Sequence, residues 1–125
     1  VIVAKDFRFE AAHSLDHLPA EHPCGRTHGH SYRIVVYVRG LCDPDMAWVM
    51  DYAEIGKIVR GLVVDVLDHR NLNEFITPST AENLAEWIWC RVAPAIRFAN
   101  ERASLWRIDV HETESTVVIY EGGAA

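Results

Sequence analysis

The sequence predicts an α+β domain in which two helices lie on one face of a four-stranded antiparallel sheet, in the order ββααββ. Three observations predict it. Apolar and polar residues alternate near both ends of the chain, as half-buried strands require. Two stretches between them carry apolar residues at helical spacing, each opened by a capping-box pattern. Each strand then has one apolar face and each helix one apolar stripe, and stacking both helices on one sheet face buries all of them.

Val1–Ala12 alternates, with Val3, Phe7 and Phe9 on one side and Asp6, Arg8 and Glu10 on the other. His13–Arg26 contains Pro19, Pro23 and Gly25 and reads as a loop. His28–Gly40 reads as the second strand, with Tyr32, Ile34, Val36 and Val38 on one face. Leu41–Asp51 is a connection with Asp-Pro at 43–44. Asp51 and Glu54 form the first capping box, followed by the stripe Ile55, Ile58, Val59, Leu62, Val63, Val66 and Leu67. Asp68–Pro78 is expected to be a turn or loop. Ser79 and Glu82 read as the second capping box, ahead of Leu84, Trp87, Ile88, Val92 and Ile96. Pro94 is expected to kink or end that helix, because proline lacks the N–H that the helix ladder uses. Leu105–Glu112 and Ser115–Glu121 read as a final hairpin around Thr113–Glu114.

The 125 residues are 50% hydrophobic and 24% charged, the composition of one soluble globular domain. That domain is expected over 1–121, with a disordered tail over 122–125. Lysine plus arginine number 12 against 18 acidic residues, for a net charge of −6. No basic cluster is present, which argues against a nucleic-acid partner. No apolar run approaches the roughly 20 residues needed to span a bilayer, so no membrane partner is expected. Val1–Phe9 does not resemble an export signal. Three cysteines at irregular spacing, Cys24, Cys42 and Cys90, point to reduced thiols in the cytoplasm rather than a disulfide framework.

Five of the seven histidines fall between positions 13 and 30. His28 and His30 are alternate residues of a strand, so their imidazoles share a face. His13 ends the preceding strand and lies opposite them if the two strands pair as a hairpin. Neutral imidazole is a good zinc ligand, and three protein ligands leave the open fourth position of a catalytic site. Cys24, four residues before His28, reads equally as a fourth ligand closing a structural site or as a free thiol activated beside the metal. Asp68-His69 reads as an acid–base pair or as a plain helix end where histidine complements the dipole. Glu112 continues the alternation of Trp106, Ile108 and Val110. It therefore points to the apolar face, where its carboxylate suits a planar ligand with two parallel N–H donors, or it turns out to solvent at the strand end.

These residues carry a family resemblance. Phe9-Glu10-Ala11-Ala12-His13, Cys24-Gly25-Arg26-Thr27-His28-Gly29-His30, Asp68-His69-Arg70-Asn71-Leu72-Asn73 and His111-Glu112-Thr113 resemble, in order and spacing, the 6-pyruvoyltetrahydropterin synthase family from Lys5 to Tyr120. The Cys-x-x-x-His-Gly-His spacing resembles the 6-carboxy-5,6,7,8-tetrahydropterin synthase branch of queuosine biosynthesis. The resemblance implies the tunnelling fold and a homohexamer with sites at subunit interfaces. It implies zinc on His13, His28 and His30, and a free Cys24 as catalytic thiol. It also implies Asp68 and His69, from a neighbouring subunit, as acid–base partners, and Glu112 as the acceptor of the pterin N–H groups. The implied substrate is 7,8-dihydroneopterin triphosphate. The implied products are 6-carboxy-5,6,7,8-tetrahydropterin, acetaldehyde and triphosphate. Arg26, Lys5 and His17 are the candidates for holding the triphosphate. The alternatives are a pyruvoyltetrahydropterin synthase and a non-enzymatic zinc protein closed by Cys24.

Overall fold

The computed structural model describes residues 1–123, and the last two positions of the expected tail, 124 and 125, lie outside them. The chain forms an α+β fold. Strand β1 (Ile2–His13) and strand β2 (His28–Gly40) come first. Helix α1 (Tyr52–Val59) runs through a π-helical segment, Arg60–Val64, into a short turn, α2 (Asp65–Leu67). A two-residue strand, β3 (Arg70–Asn71), follows. Helix α3 (Ala81–Ala99), strand β4 (Ala103–His111) and strand β5 (Val118–Tyr120) complete the chain.

The sheet has five strands in the order β3-β1-β2-β4-β5, not the expected four. It is also mixed: β3 runs parallel to β1, pairing Ala11 with Arg70 and Ala12 with Asn71, while the other pairs are antiparallel. The segment expected as a loop therefore supplies an edge strand, and the order ββααββ acquires an extra β between the helices. Two residues carry no periodicity, so only the long-range pairing reveals β3.

The β1–β2 hairpin sets Phe7 against Ile34, Phe9 against Tyr32, Ala11 against His30 and His13 against His28. These pairs share the helix-covered face. Ile55, Val59, Val63 and Leu67 of the first helical stretch are fully buried on it, as are Leu84, Ile88, Val92 and Ile96 of α3. Each such side chain contributes about 1.5–3 kcal/mol relative to an exposed position. The first four recur every four residues, slightly more than one α-helical turn. The wider π turn absorbs that drift and keeps the stripe on the sheet. The opposite face is polar, with Asp6 paired to Arg33 and Tyr37 donating to Asp109.

Three local expectations are corrected. The cap of α3 is Thr80, which accepts the Asn83 N–H at 3.2 Å; the Ser79 hydroxyl is engaged elsewhere. Pro94 does not end α3, which continues to Ala99. Pro94 and Cys90 both lie exposed, so water can reach the carbonyl that loses its helical partner. In β4 a bulge opposite Tyr37 and Val38 pairs them with Arg107 and Leu105, leaving Trp106 as the extra residue. The bulge changes the phase of the strand. Leu105, not Trp106, joins Ile108 and Val110 in the core, and Trp106 meets the edge of Tyr37. At the chain end, Gly122 has φ +77° and lies against the Trp89 indole, which leaves no room for a Cβ.

Candidate functional site

The loop end of the β1–β2 hairpin carries the three histidines. Strand alternation puts them on one face, and the hairpin register puts His13 directly across from His28. Ring centroids lie 4.6 Å apart for His13 and His28, 5.1 Å for His13 and His30, and 4.9 Å for His28 and His30. One nitrogen from each ring lies within 4.8 Å of the others, and among the described residues this is the group able to hold a metal ion. The sequence expectation for these three positions and their shared face matches this arrangement.

Hydrogen bonds orient the rings. His13 is 1% exposed, and its Nδ1 lies 2.7 Å from the Ser79 carbonyl. His28 Nδ1 lies 2.7 Å from the Arg26 carbonyl. A carbonyl only accepts, so each Nδ1 carries the proton and each Nε2 keeps its lone pair free. His13 Nε2 and His30 Nε2 are both buried without a hydrogen-bond partner. At His13 an orphaned lone pair on a ring anchored through its other nitrogen matches the way metal-ligating histidines are held. Burial holds the pKa of His30 below its ordinary value, the charges of His13 and His28 push the same way, and Glu112 opposes them. The lowered pKa favours the neutral, metal-competent ring.

Behind His13 lies a polar network that the sequence did not disclose. The Asn73 carboxamide accepts from Ser14 N–H at 3.1 Å and from the Ser79 hydroxyl at 2.7 Å. It donates to the Ser14 carbonyl at 2.8 Å and to Asp16 at 3.2 Å. Ser79, 1% exposed, is thereby clamped with its carbonyl against His13. Asn73 and Ser79 were visible as motif residues, but their role depends on three distant segments meeting.

Glu112 sits beside the histidines, its carboxylate oxygens 3.8 Å from His13 Nε2 and 3.9 Å from His30 Nε2. It faces the site rather than solvent, as its alternation with Ile108 and Val110 suggested. Tyr32, on the same face as His30, is 1% exposed and its hydroxyl has no partner. Burial, then the Glu112 charge, raises its pKa far above the ordinary phenol value, so it stays protonated. Strand alternation placed Tyr32 on the apolar face, but nothing in the sequence marked its hydroxyl.

Cys24 lies in a 3₁₀ turn, Pro23–Gly25, whose tight packing requires glycine: a Cβ on Gly25 would meet the Pro19 carbonyl oxygen at 2.7 Å. The Cys24 carbonyl accepts from Leu15 N–H at 2.8 Å, tying the turn to the chain just past His13. Its free thiol is half-buried and does not join the three-histidine group. A Cβ on Gly29, between the two ligands of β2, would come no closer than 3.7 Å to the Ala11 carbonyl, so the hairpin itself does not demand that glycine.

Asp68 and His69 stand apart, on the side of β1 where β3 pairs, beside Glu10. Asp68 accepts the Glu10 N–H at 2.9 Å and pairs with His69 Nδ1 at 2.9 Å. The Glu10 N–H, then His69, holds the Asp68 carboxyl below its usual range. The His69 side chain is 78% exposed and its backbone is left-handed, with φ 59°. The chain does not bring this dyad into its own histidine group. Of the residues considered for triphosphate, Arg26 and His17 are exposed near the loop. Lys5 lies eight residues back along β1, about 27 Å away at strand rise, with its ammonium on the Tyr52 carbonyl. No helix among the described residues is long and apolar enough to cross a membrane.

Known proteins are similar to this chain in sequence and fold. A 6-pyruvoyl tetrahydrobiopterin synthase of Poecilia reticulata is 38% identical over 101 residues, covering 76% of this chain and 65% of that protein. The chain thus spans just under two thirds of that relative's length. A 6-carboxy-5,6,7,8-tetrahydropterin synthase of Synechocystis is 37% identical over 100 residues, covering 75% of this chain and 76% of that protein. The structure of Caenorhabditis elegans 6-pyruvoyl tetrahydropterin synthase superposes with a TM-score of 0.85 at 30% identity, covering 98% of this chain and 96% of that one. The family profile described as 6-pyruvoyl tetrahydropterin synthase matches residues 2–123, and the chain belongs to that family.

Proposed function

We propose that this protein is a zinc-dependent lyase that converts 7,8-dihydroneopterin triphosphate to 6-carboxy-5,6,7,8-tetrahydropterin, acetaldehyde and triphosphate, on the route to queuosine. The observation that carries a metal-dependent reaction is the convergence of three imidazoles whose Nδ1 protons are engaged at His13 and His28 and whose Nε2 atoms are orphaned at His13 and His30. The carboxy-forming branch is supported by the Cys-x-x-x-His-Gly-His spacing and the Synechocystis relative.

His13, His28 and His30 hold the zinc, which when bound acidifies the hydroxyls of the substrate side chain as a Lewis acid. Glu112 accepts the pterin N3–H and 2-amino hydrogens and so orients the ring. Cys24 moves protons at the side-chain carbons. Its exclusion from the histidine group supports a free thiol rather than a fourth ligand. Asp68 fixes the His69 proton on Nδ1 and leaves Nε2 free to exchange one. An acid–base dyad whose His69 side chain is left 78% exposed, apart from this chain's own histidine group, makes sense if a neighbouring subunit presents it to the Cys24 site. The protein then acts as an oligomer, a homohexamer, in the cytoplasm.

A second reading, 6-pyruvoyl tetrahydropterin synthesis, is favoured by the Poecilia relative at 38% identity. Incubation with 7,8-dihydroneopterin triphosphate separates the two: acetaldehyde and a carboxypterin support the first, a diketo pterin the second, and no turnover by zinc-loaded protein refutes both.

A further inference from the structure

The unsatisfied polar side-chain atoms of the interior, among the described residues, are His13 Nε2, His30 Nε2 and the Tyr32 hydroxyl. The first two are imidazole nitrogens that a cation would satisfy. The third carries a proton, and a neutral phenol is no ligand for zinc, whose protein donors are thiolate, imidazole and carboxylate. A metal therefore leaves Tyr32 unexplained. Its hydroxyl cannot escape to water by rotation. The ring stacks on Phe9 at 5.2 Å and 15°, and the edges of His30 and His13 close around it at 5.5 and 6.3 Å. A buried hydroxyl without a partner is costly, so a rigidly held one at a binding site marks a donor waiting for an acceptor.

The acceptor is across the sheet. The β2–β4 ladder ends on Arg33 paired with His111. Just past that last pair, Glu112 follows β4 on the side of Ile108 and Val110, and its charge reaches the Tyr32 hydroxyl closely enough to raise its pKa. The Glu112 carboxylate now leans over the histidines, 3.8–3.9 Å from two Nε2 atoms. At His13 that nitrogen offers a lone pair, not a proton, so the contact does not anchor the carboxylate. A ligand with paired N–H groups gives the carboxylate the donors that the His13 nitrogen does not.

We infer that Tyr32 is the positioning residue of Glu112: its hydroxyl donates to the carboxylate in the ligand-bound site and holds both oxygens toward the ligand's paired N–H groups. The inference rests on the reading of Glu112 as the pterin acceptor. A carboxylate has lone pairs enough for two ligand donors and one from Tyr32.

The test is a double-mutant cycle on zinc-loaded protein, with 7,8-dihydroneopterin affinity, zinc content and denaturant midpoint read on wild type, Tyr32→Phe, Glu112→Gln and the double variant. Tyr32→Phe removes one oxygen and keeps the stack on Phe9. It should keep its zinc, hold or raise its ligand-free midpoint because the unpartnered hydroxyl is gone, and bind the pterin about tenfold more weakly, the effect of one hydrogen bond to a charged group. In the Glu112→Gln background it should cost nothing more, because residues acting through one contact are not additive. Unchanged affinity in Tyr32→Phe, multiplied losses in the double variant, or loss of the fold would each overturn the inference. Failure of wild type to bind the pterin would instead overturn the reading of Glu112 on which it rests.

Discussion

Replacing Asn73 with alanine should loosen the metal site from behind. The Asn73 side chain joins Ser14, Asp16 and Ser79 through contacts of 2.7–3.2 Å. Alanine leaves the Ser14 N–H without its partner, while the Ser79 hydroxyl and the Ser14 carbonyl, already 3.2 Å apart, keep each other. Each net hydrogen bond is worth about 0.5–1.5 kcal/mol, and a buried group left unsatisfied costs about 1–3 kcal/mol. Ser79 is buried while Asp16 is reachable by water, so the loss should be about 2–4 kcal/mol, less than the plain sum. The second effect reaches the metal. The Ser79 carbonyl sets the tautomer and tilt of His13, and partners of this kind change metal affinity by about 10–100-fold. The assay pairs denaturant unfolding of metal-free protein with zinc competition against a chromophoric chelator. Ser79→Ala, which keeps the backbone carbonyl, should lose less zinc affinity than Asn73→Ala. Wild-type zinc affinity in Asn73→Ala would refute the idea that this network orients His13.

Cys24→Ala should retain zinc and lose turnover by about 10²–10⁴-fold, the usual contribution of a general acid–base group; zinc analysis and product formation on one sample check it, and loss of zinc would restore the structural reading. Glu112→Gln presents one acceptor and one donor where the pterin needs two acceptors, so affinity should fall about tenfold to a hundredfold, read by titration with a pterin. For pH, the folded pKa of His30 lies below its ordinary 6.5. The unfolded chain therefore binds more protons just below that value, and stability of the metal-free protein should be full above about pH 6.5 and fall as the pH drops from there. Denaturant midpoints from pH 7.5 to 5 should show this slope, weakened in His30→Gln; equal slopes in the two proteins would count against the assigned shift.

Local periodicity alone determined much of this protein. The twofold alternation of β1 and β2 fixed which side chains face the helices, and so put His28, His30 and Tyr32 on one side before any fold was known. The helical stripes at Ile55–Leu67 and Leu84–Ile96 were legible for the same reason: burial selects residues at the spacing of the element. Glu112 was legible only as one of two options: its place two residues past Val110 allowed the inward face, but a residue at the strand end could equally have turned to solvent, and the fold decided. Tertiary structure decided whatever depends on residues far apart in sequence. The pairing of Arg70 and Asn71 with β1 rests on long-range backbone hydrogen bonds that two residues cannot announce. The bulge at Trp106 is one extra residue in a ladder, invisible without the partner strand. Ser79 fits the capping pattern as well as Thr80 does, and only Asn73 and His13 closing around it decide between them. The solitary Tyr32 hydroxyl is likewise a fact of packing, since a donor is unsatisfied only with respect to everything that surrounds it.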